Sequence, residues 1–437
     1  MSRAAVLVLA AALLVSPWSG HIDDTDAQLY QVLARNMAAA PRWLEPGLPP
    51  SSSAPFREHL PFGLWPYAAA VRVAGERALP FAGAAFSLLT AAALLALTPG
   101  PAGLAAALVL ACTETFFLYG GRPRLDPPLI FFATLSALLV LRPRPRWLLA
   151  AVAAAVAASI KGPFGLVPLA CVAAGRAISE RSPRMLLSGV AAVLLAAAPA
   201  ALFLLIADAS WREGYLRAQL LASATGARTD GTMAWWAAAA SIAGRFWPGL
   251  PFAVLAATRR RNRTLALTCA LLLVALSLPT RKFWNHQLVA YPLLALLAGE
   301  WLSPYLARWP RAIPALAAAA GVVFAASGLG ARLLPAPCVA SREFAALMPP
   351  PGTPILVVSD PPDWRTLVAL AAEQRLAPIR AAELPGAPVA KFALVRESLF
   401  ATDGWRALAS ARGWVLATRP ARQGMADPAR ADGFAEW

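Results

Sequence analysis

The sequence predicts an all-α polytopic membrane protein with about eleven transmembrane helices, interfacial helices in its first outer loop, and a small C-terminal α/β domain outside the membrane. Three observations predict it. Of the 437 residues, 59% are hydrophobic and only 14% charged, with mean hydropathy +0.57, which is far too apolar for a soluble enzyme. The arginines interrupt the apolar runs in clusters instead of forming one patch. From about Pro335 the long apolar runs give way to short alternating ones. The formal charge of +16 is therefore read as topology. A nucleic-acid partner is excluded, because such binders carry their cations on the face of a soluble domain.

A bilayer core of about 30 Å asks for about 20 apolar residues per helix. Spans are expected near 4 to 19, 79 to 98, 102 to 120, 127 to 141, 147 to 160, 163 to 175, 185 to 207, 235 to 257, 264 to 279, 287 to 306 and 312 to 334. Ala4 to Ser19 is taken as an uncleaved first span, a cleaved signal peptide being the other reading of so short a stretch. Arg3 precedes it, and further groups follow at Arg142, Arg144 and Arg146, at Arg176, Arg181 and Arg184, at Arg259, Arg260, Arg261 and Arg263, and at Arg308 and Arg311. By the positive-inside rule these share the cytoplasmic face. Between two of the groups the chain must reverse, at Lys161, Gly162 and Pro163.

The remaining interruptions then face outward and hold nearly every acid before residue 335, together with His21, His59 and His286. In the first outer loop, residues 20–78, Leu29, Val32, Leu33, Asn36 and Met37 suit an amphipathic interfacial helix. Leu60 to Ala74, with Trp65 and Tyr67, suits a second, since those rings prefer the headgroup level. Residues 335–437 read as strand 354–359, helix 364–374, strand 392–396, helix 405–412 and strand 414–417, and nothing in them looks catalytic. The domain expectation is thus a transmembrane catalytic domain at 1–334 and a soluble domain at 335–437.

Several outward residues can carry chemistry. Asp23, Asp24 and Asp26 could supply a general base, because a carboxylate near a low-dielectric surface is a better proton acceptor; an N-cap by Asp24 or Thr25 is the alternative. Glu58 and His59 could ligate a divalent metal ion, or Glu58 could simply pair with Arg57. The turn GRPRLDPP sets Arg122, Arg124 and Asp126 either for a lipid phosphate or for an internal Arg–Asp pair. Lys161, one of three lysines, suits a phosphate or a snorkelling position, and Arg281, Lys282 and His286 form another basic outer turn. Arg245 falls inside an expected span, where an ionisable group suggests function.

Five segments in this order resemble the membrane-embedded GT-C glycosyltransferases that use polyprenyl-phosphate sugars, especially the family of the protein O-mannosyltransferases and the lipid A aminoarabinose transferase. They are DAQLYQVLARNM from Asp26, EHLPFGLW from Glu58, RPRLDPPL from Arg122, IKGPFGLVP from Ile160 and RKFWNHQLVAYP from Arg281. The resemblance implies that Asp26 stands at the family's catalytic Asp and Glu58 at its acidic metal or substrate ligand. It departs from the family at Ala27, Leu29, His59 and Leu60, where Glu, Arg, Lys and Pro are common. Those departures bear on the lipid-phosphate contact, the metal site and the choice of sugar or acceptor.

The activity so implied is an inverting displacement at the outer face of a bacterial inner membrane, with the C-terminal domain outside the cytoplasm. Asp26 would be the base, Arg124, Asp126, Lys161, Arg281, Lys282 and His286 would bind the donor phosphate or substrate, Glu58 and His59 would hold any divalent metal, and Asp23 and Asp24 would support. The partners would be a polyprenyl-phosphate-linked sugar, membrane lipids, and a lipid, glycan or protein acceptor. The alternative functions are a lipid or sugar transporter or flippase, or a non-catalytic relative. The paired repeats typical of many transporters are not evident in the sequence.

Overall fold

A computed structural model of the chain describes Ala10 and residues 25–39, 43–47, 56–113, 116, 119–225, 227, 233–246, 249–280, 284–309, 355–358, 392–396, 406–411 and 414–418. The chain divides into two compact units, one of Met1–Ser19 with Arg57–Leu333 and one of Gly20–Phe56 with Leu334–Trp437. In chain order the helices are α1 (Thr25–Ala39), α2 (Trp65–Ala74), α3 (Leu79–Leu97), α4 (Pro101–Ala111), α5 (Asp126–Leu141), α6 (Trp147–Lys161), α7 (Val167–Glu180), α8 (Pro183–Ile206), α9 (Ala237–Arg245), α10 (Leu250–Ala257), α11 (Arg263–Ser277) and α12 (Tyr291–Arg308). After α8 the helical path continues through Ala209–Trp211 and a π-helix, Arg212–Leu221, into Ala222–Thr225.

The first unit is built inside out by the standards of a water-soluble protein. On α8 the buried face is Gly189, Ala192, Ala196 and Ala200, while Leu187, Leu194, Leu205 and Ile206 are among its exposed residues. On α6, alanines are buried and Leu148, Leu149, Val152 and Val156 are exposed. Leucine gains nothing by leaving a hydrocarbon solvent, so in a bilayer the large side chains face out and small ones let backbones approach. α8 packs along both α6 and α7, with Gly189 against Ala173 of α7. α12 packs along α4 in the same way, with Gly299 so near the Ala102 carbonyl and Ala106 that a Cβ would meet their backbone. Among the described residues, three helical stretches are long and apolar enough to cross a membrane: Glu76–Leu97, Trp147–Gly165 and Pro183–Ile206.

The connections between the helices of this unit gather at two ends. One end holds Arg142, Arg144 and Arg146 with Arg176, Arg181 and the Arg259–Asn262 turn. There Arg176 is buried, donating through Nη1 to the carbonyls of Val140 and Arg142 and through Nη2 to Pro143, and pairing with Glu180. It thereby occupies the orphan carbonyls at the end of α5 with a charge that suits the helix dipole. The other end gathers the turn before α5, the α6–α7 hairpin, the segment after α8 and the turn before α12.

Several expected elements change on folding. The span expected at 235–257 is two short helices, α9 and α10, which leaves Arg245 in the last turn of α9 and not mid-span. In the span expected at 102–120 the helix from Pro101 stops at Ala111, and helical residues resume at Phe116 and at Tyr119 and Gly120. Those expected at 163–175 and 287–306 begin with 3-10 turns, Gly162–Gly165 and Trp284–Ala290, before α7 and α12. The first span, Ala10 apart, and the last one at 312–334 lie outside the described residues.

In the second unit, α1 forms where the amphipathic spacing predicts it, with Val32, Leu33 and Met37 buried. Asn36 Nδ2 donates to the Gly47 carbonyl at 2.9 Å. Four strands, β1 (Ile355–Val358), β2 (Phe392–Arg396), β3 (Arg406–Ala411) and β4 (Trp414–Thr418), make one sheet in the order β1-β2-β4-β3. β1 and β2 are parallel and the other pairs antiparallel. The helix expected at 405–412 is therefore a strand. Its alanines favour a helix weakly, and pairing with β4, from Ala411 beside Trp414 to Arg406 beside Thr418, overrides that preference. The helix expected at 364–374 lies outside the described residues.

Removing the Arg176 fork tests how the arginine-rich end is held. Arg176→Ala should destabilise the detergent-solubilised protein by about 2–4 kcal/mol, because several buried carbonyls lose a charged donor. Arg176→Lys should recover only part of the loss, since an ammonium cannot fork among three carbonyls. Thermal unfolding midpoints of the two variants check both statements.

Candidate active site

At the end of the first unit opposite those arginines, one buried carboxylate ties two elements together. Asp126 is the first residue of α5, followed by Pro127 and Pro128, which suit a helix start because their missing N–H groups have no intrahelical partner there anyway. Its Oδ2 accepts from Arg124 Nε at 3.0 Å and its Oδ1 from Lys161 Nζ at 2.7 Å. Arg124 and Asp126 are 3% and 2% exposed, so this is a buried ion triplet.

The turn before α5 is braced from three sides. Ser87 of α3 donates to the Gly120 carbonyl at 3.0 Å, Gly83 lies against the Arg122 carbonyl, and the Tyr67 hydroxyl of α2 donates to the Arg124 carbonyl. Burial first, and then the Asp126 charge, push the Tyr67 phenol well above its ordinary pKa, so it remains the donor. Arg122 and Arg124 both lie over the Tyr119 ring, at 5.2 and 5.1 Å from its centroid.

Lys161 ends α6, and Gly162 follows with φ +59°. With ψ −139° this is a positive-φ conformation that only glycine adopts freely, and the proline that follows cannot continue the helix. Gly162 is also where the Tyr215 hydroxyl of the π-helix lies, leaving no room for a Cβ. Two residues on, the Phe164 ring stands 4.9 Å from that of His286. The 3-10 turn Pro61–Leu64 packs on the same hairpin, with Gly63 against Ile160 and Leu125.

Glu58 and Arg57 take partners that the sequence did not suggest. Glu58 Oε2 accepts from Gln219 Nε2 at 3.4 Å. Arg57, in place of pairing with Glu58, is buried over the Trp211 ring at 4.2 Å, donates from Nε to Ser210 Oγ at 3.1 Å, and lies 3.7 Å from the Asp208 carboxylate. The hydrogen bond from the Ser210 hydroxyl, ahead of the other contacts, holds the Asp208 carboxyl below its ordinary range. Among the described residues no three His, Cys, Asp or Glu side chains gather to hold a metal ion. Glu58 and His59 would therefore need a further ligand from elsewhere to hold a divalent ion.

The structure thus brings Arg124, Asp126 and Lys161 into direct contact, with Glu58 and His286 on segments that touch the same hairpin. Asp26 lies in the first turn of α1, in the second unit. Asp23, Asp24, Arg281 and Lys282 lie outside the described residues. Sequence reasoning passed over Tyr215 and Gln219, which carry no motif and become visible only when the π-helix meets the hairpin. It read Tyr67 for its ring and not for its hydroxyl. Chemically, Arg124 and Lys161 share the one Asp126 carboxylate while Arg122 lies beside Arg124 over the Tyr119 ring, so cationic groups gather at this end.

Solved structures with this architecture exist. ArnT, the lipid A aminoarabinose transferase from Cupriavidus metallidurans, in crystal structures bound to undecaprenyl phosphate and in the apo state, superimposes with TM-score 0.68 over 95% of this chain and 97% of its own, at 16% identity. The apo oligosaccharyltransferase from Archaeoglobus fulgidus does so with TM-score 0.53 over 91% of this chain and 70% of its own, at 13% identity. The chain has the GT-C fold. No family model matches the sequence, and no curated protein is significantly similar to it. At these identities the likeness to GT-C proteins is one of fold.

Two changes probe the site's construction. Lys161→Met, which leaves Asp126 buried with one cation, should destabilise by about 3 kcal/mol, and adding Asp126→Asn should restore much of it. A double-mutant cycle of unfolding midpoints that shows no coupling would remove this ion pair from the account. Gly162→Ala should cost about 1–3 kcal/mol from the positive-φ backbone and the clash with Tyr215, and combining it with Tyr215→Phe should relieve the clash alone.

Proposed function

We propose that the chain is an integral-membrane inverting glycosyltransferase. It moves a sugar from a polyprenyl-phosphate donor to a hydroxyl of a lipid, glycan or protein at the outer face of a bacterial inner membrane. The observation that carries this reading is the buried Arg124–Asp126–Lys161 triplet at one end of a GT-C fold. A neighbour of that fold, ArnT, has been crystallised with undecaprenyl phosphate bound, which supports a lipid phosphate as the ligand.

In the reaction, the acceptor oxygen attacks the anomeric carbon while its proton passes to the Asp26 carboxylate. The bond from that carbon to the phosphate oxygen breaks, and its electron pair leaves with the polyprenyl phosphate. A phosphate is a good leaving group that needs its charge stabilised and not a proton. Lys161 and Arg124 serve that purpose, oriented by Asp126, which keeps both cations in fixed positions before the substrate arrives. Arg281, Lys282 and His286 add charge and hydrogen bonds from the late turn, and Asp23 and Asp24 support Asp26. Any divalent ion would sit at Glu58 and His59.

The decisive measurement is transfer from radiolabelled polyprenyl-phosphate sugars in membranes containing the protein, followed by mass spectrometry of the glycans and lipids lost when it is deleted. Asp26→Asn should fold and bind lipid phosphate normally while transfer falls by about 10²–10⁴-fold. Full transfer by that variant would remove Asp26 from the mechanism. No transfer from any of several donors would leave the transporter or non-catalytic readings in its place.

A further inference from the structure

The helical segment after α8 touches two parts of the site at once. It is anchored by an apolar cluster of Leu60, Ala200, Trp211 and Tyr215, with Phe62 and Phe203 against it. From there, Gly214 rests on the side chain of Arg57, Gln219 donates to Glu58, and the Tyr215 hydroxyl lies on Gly162. The winding explains how. Residues Arg212–Leu221 form a π-helix, in which Tyr215 and Gln219, four positions apart, share one side, toward the hairpin and the Glu58 loop; such turns occur often at functional sites.

Tyr215 is the feature that structure alone does not account for. The residue is 2% exposed, and its hydroxyl has no hydrogen-bond partner among the described residues. Buried hydroxyls are ordinarily paired, so an unpaired one aimed at a candidate site invites a ligand. Burial also raises the phenol's pKa, which keeps it a donor at any physiological pH. Beside it, Lys161 has three N–H donors, and one of them is given to Asp126. The hairpin tip therefore carries an ammonium with further donors at Lys161 and, laid over the next residue, a buried hydroxyl from a second element.

We infer that Tyr215 is a donor-binding residue, whose hydroxyl hydrogen-bonds an anionic phosphate oxygen of the polyprenyl-phosphate headgroup held at the Lys161–Gly162 tip. The inference rests on the function proposed above and adds to it a contact from a segment without any sequence motif. The π-helix is then one wall of the phosphate site, and Gly162 is glycine so that the tyrosine can reach over the tip.

The test compares wild type and Tyr215→Phe in detergent, titrated with undecaprenyl phosphate by thermophoresis. Phenylalanine keeps the ring's packing and removes a hydroxyl that the unliganded protein leaves unpaired, so the variant's unfolding midpoint without lipid should be unchanged or higher. Its Kd should rise about tenfold, the size of one hydrogen bond to a charged acceptor, and with a transferable donor KM should rise while kcat holds. Equal Kd values for the two proteins, with or without a change in midpoint, would overturn the assignment to Tyr215 and leave the proposed function standing. Absence of lipid-phosphate binding by the wild type would overturn both.

Discussion

The construction of the candidate site depends on one contact, the Asp126 carboxylate held between Arg124 and Lys161. Arg124 and Asp126 come from a turn, while Lys161 comes from the end of a helix that lies 35 positions further along the chain. Without the carboxylate, two buried cations would face each other across a dry interface, and without either cation the carboxylate would be left uncompensated. Such a triplet is an expensive way to join α5 to α6, since apolar side chains of the same volume would hold them as well. In the reaction proposed above its use would be preorganisation, since Asp126 holds both cations in place before an anion arrives.

The rest of the first unit positions that contact. Ser87, Tyr67 and Gly83 brace the turn before α5, and each comes from the stretch between the first outer loop and α3. Arg176 finishes α5 at its other end, so the helix is anchored by charge at both termini and packed through small residues between them. The lipid solvent sets this division. Where hydrocarbon surrounds the helices, large apolar side chains do not drive association, and specificity falls to alanine and glycine packing and to polar contacts at the ends.

Much of this was legible in the sequence. The apolar runs punctuated by arginines, the Lys-Gly-Pro stop at 161–163, the amphipathic spacing of α1 and the strand at Phe392–Arg396 are local signals, decided by solvent, helix termination and periodicity. The failures were local too. The 405–412 segment has helical alanines but is a strand, because its pairing partner outweighs its propensity. The long run at 235–257 breaks in two, a change that hydropathy cannot register because a broken helix and a whole one have the same composition.

By itself the sequence determined that this is a chain built for a bilayer and where its apolar runs are interrupted, and it singled out Asp126 and Lys161 among the charges at those interruptions. Tertiary structure alone decided which charges meet. Arg57 took Asp208 and Trp211 and not its neighbour Glu58, and a motif-free tyrosine came to rest on Gly162. The physical reason is that solvent preference and helix termination act over one or two turns and leave their mark in neighbouring residues. Which buried polar groups pair is settled only when distant elements compete for them out of water.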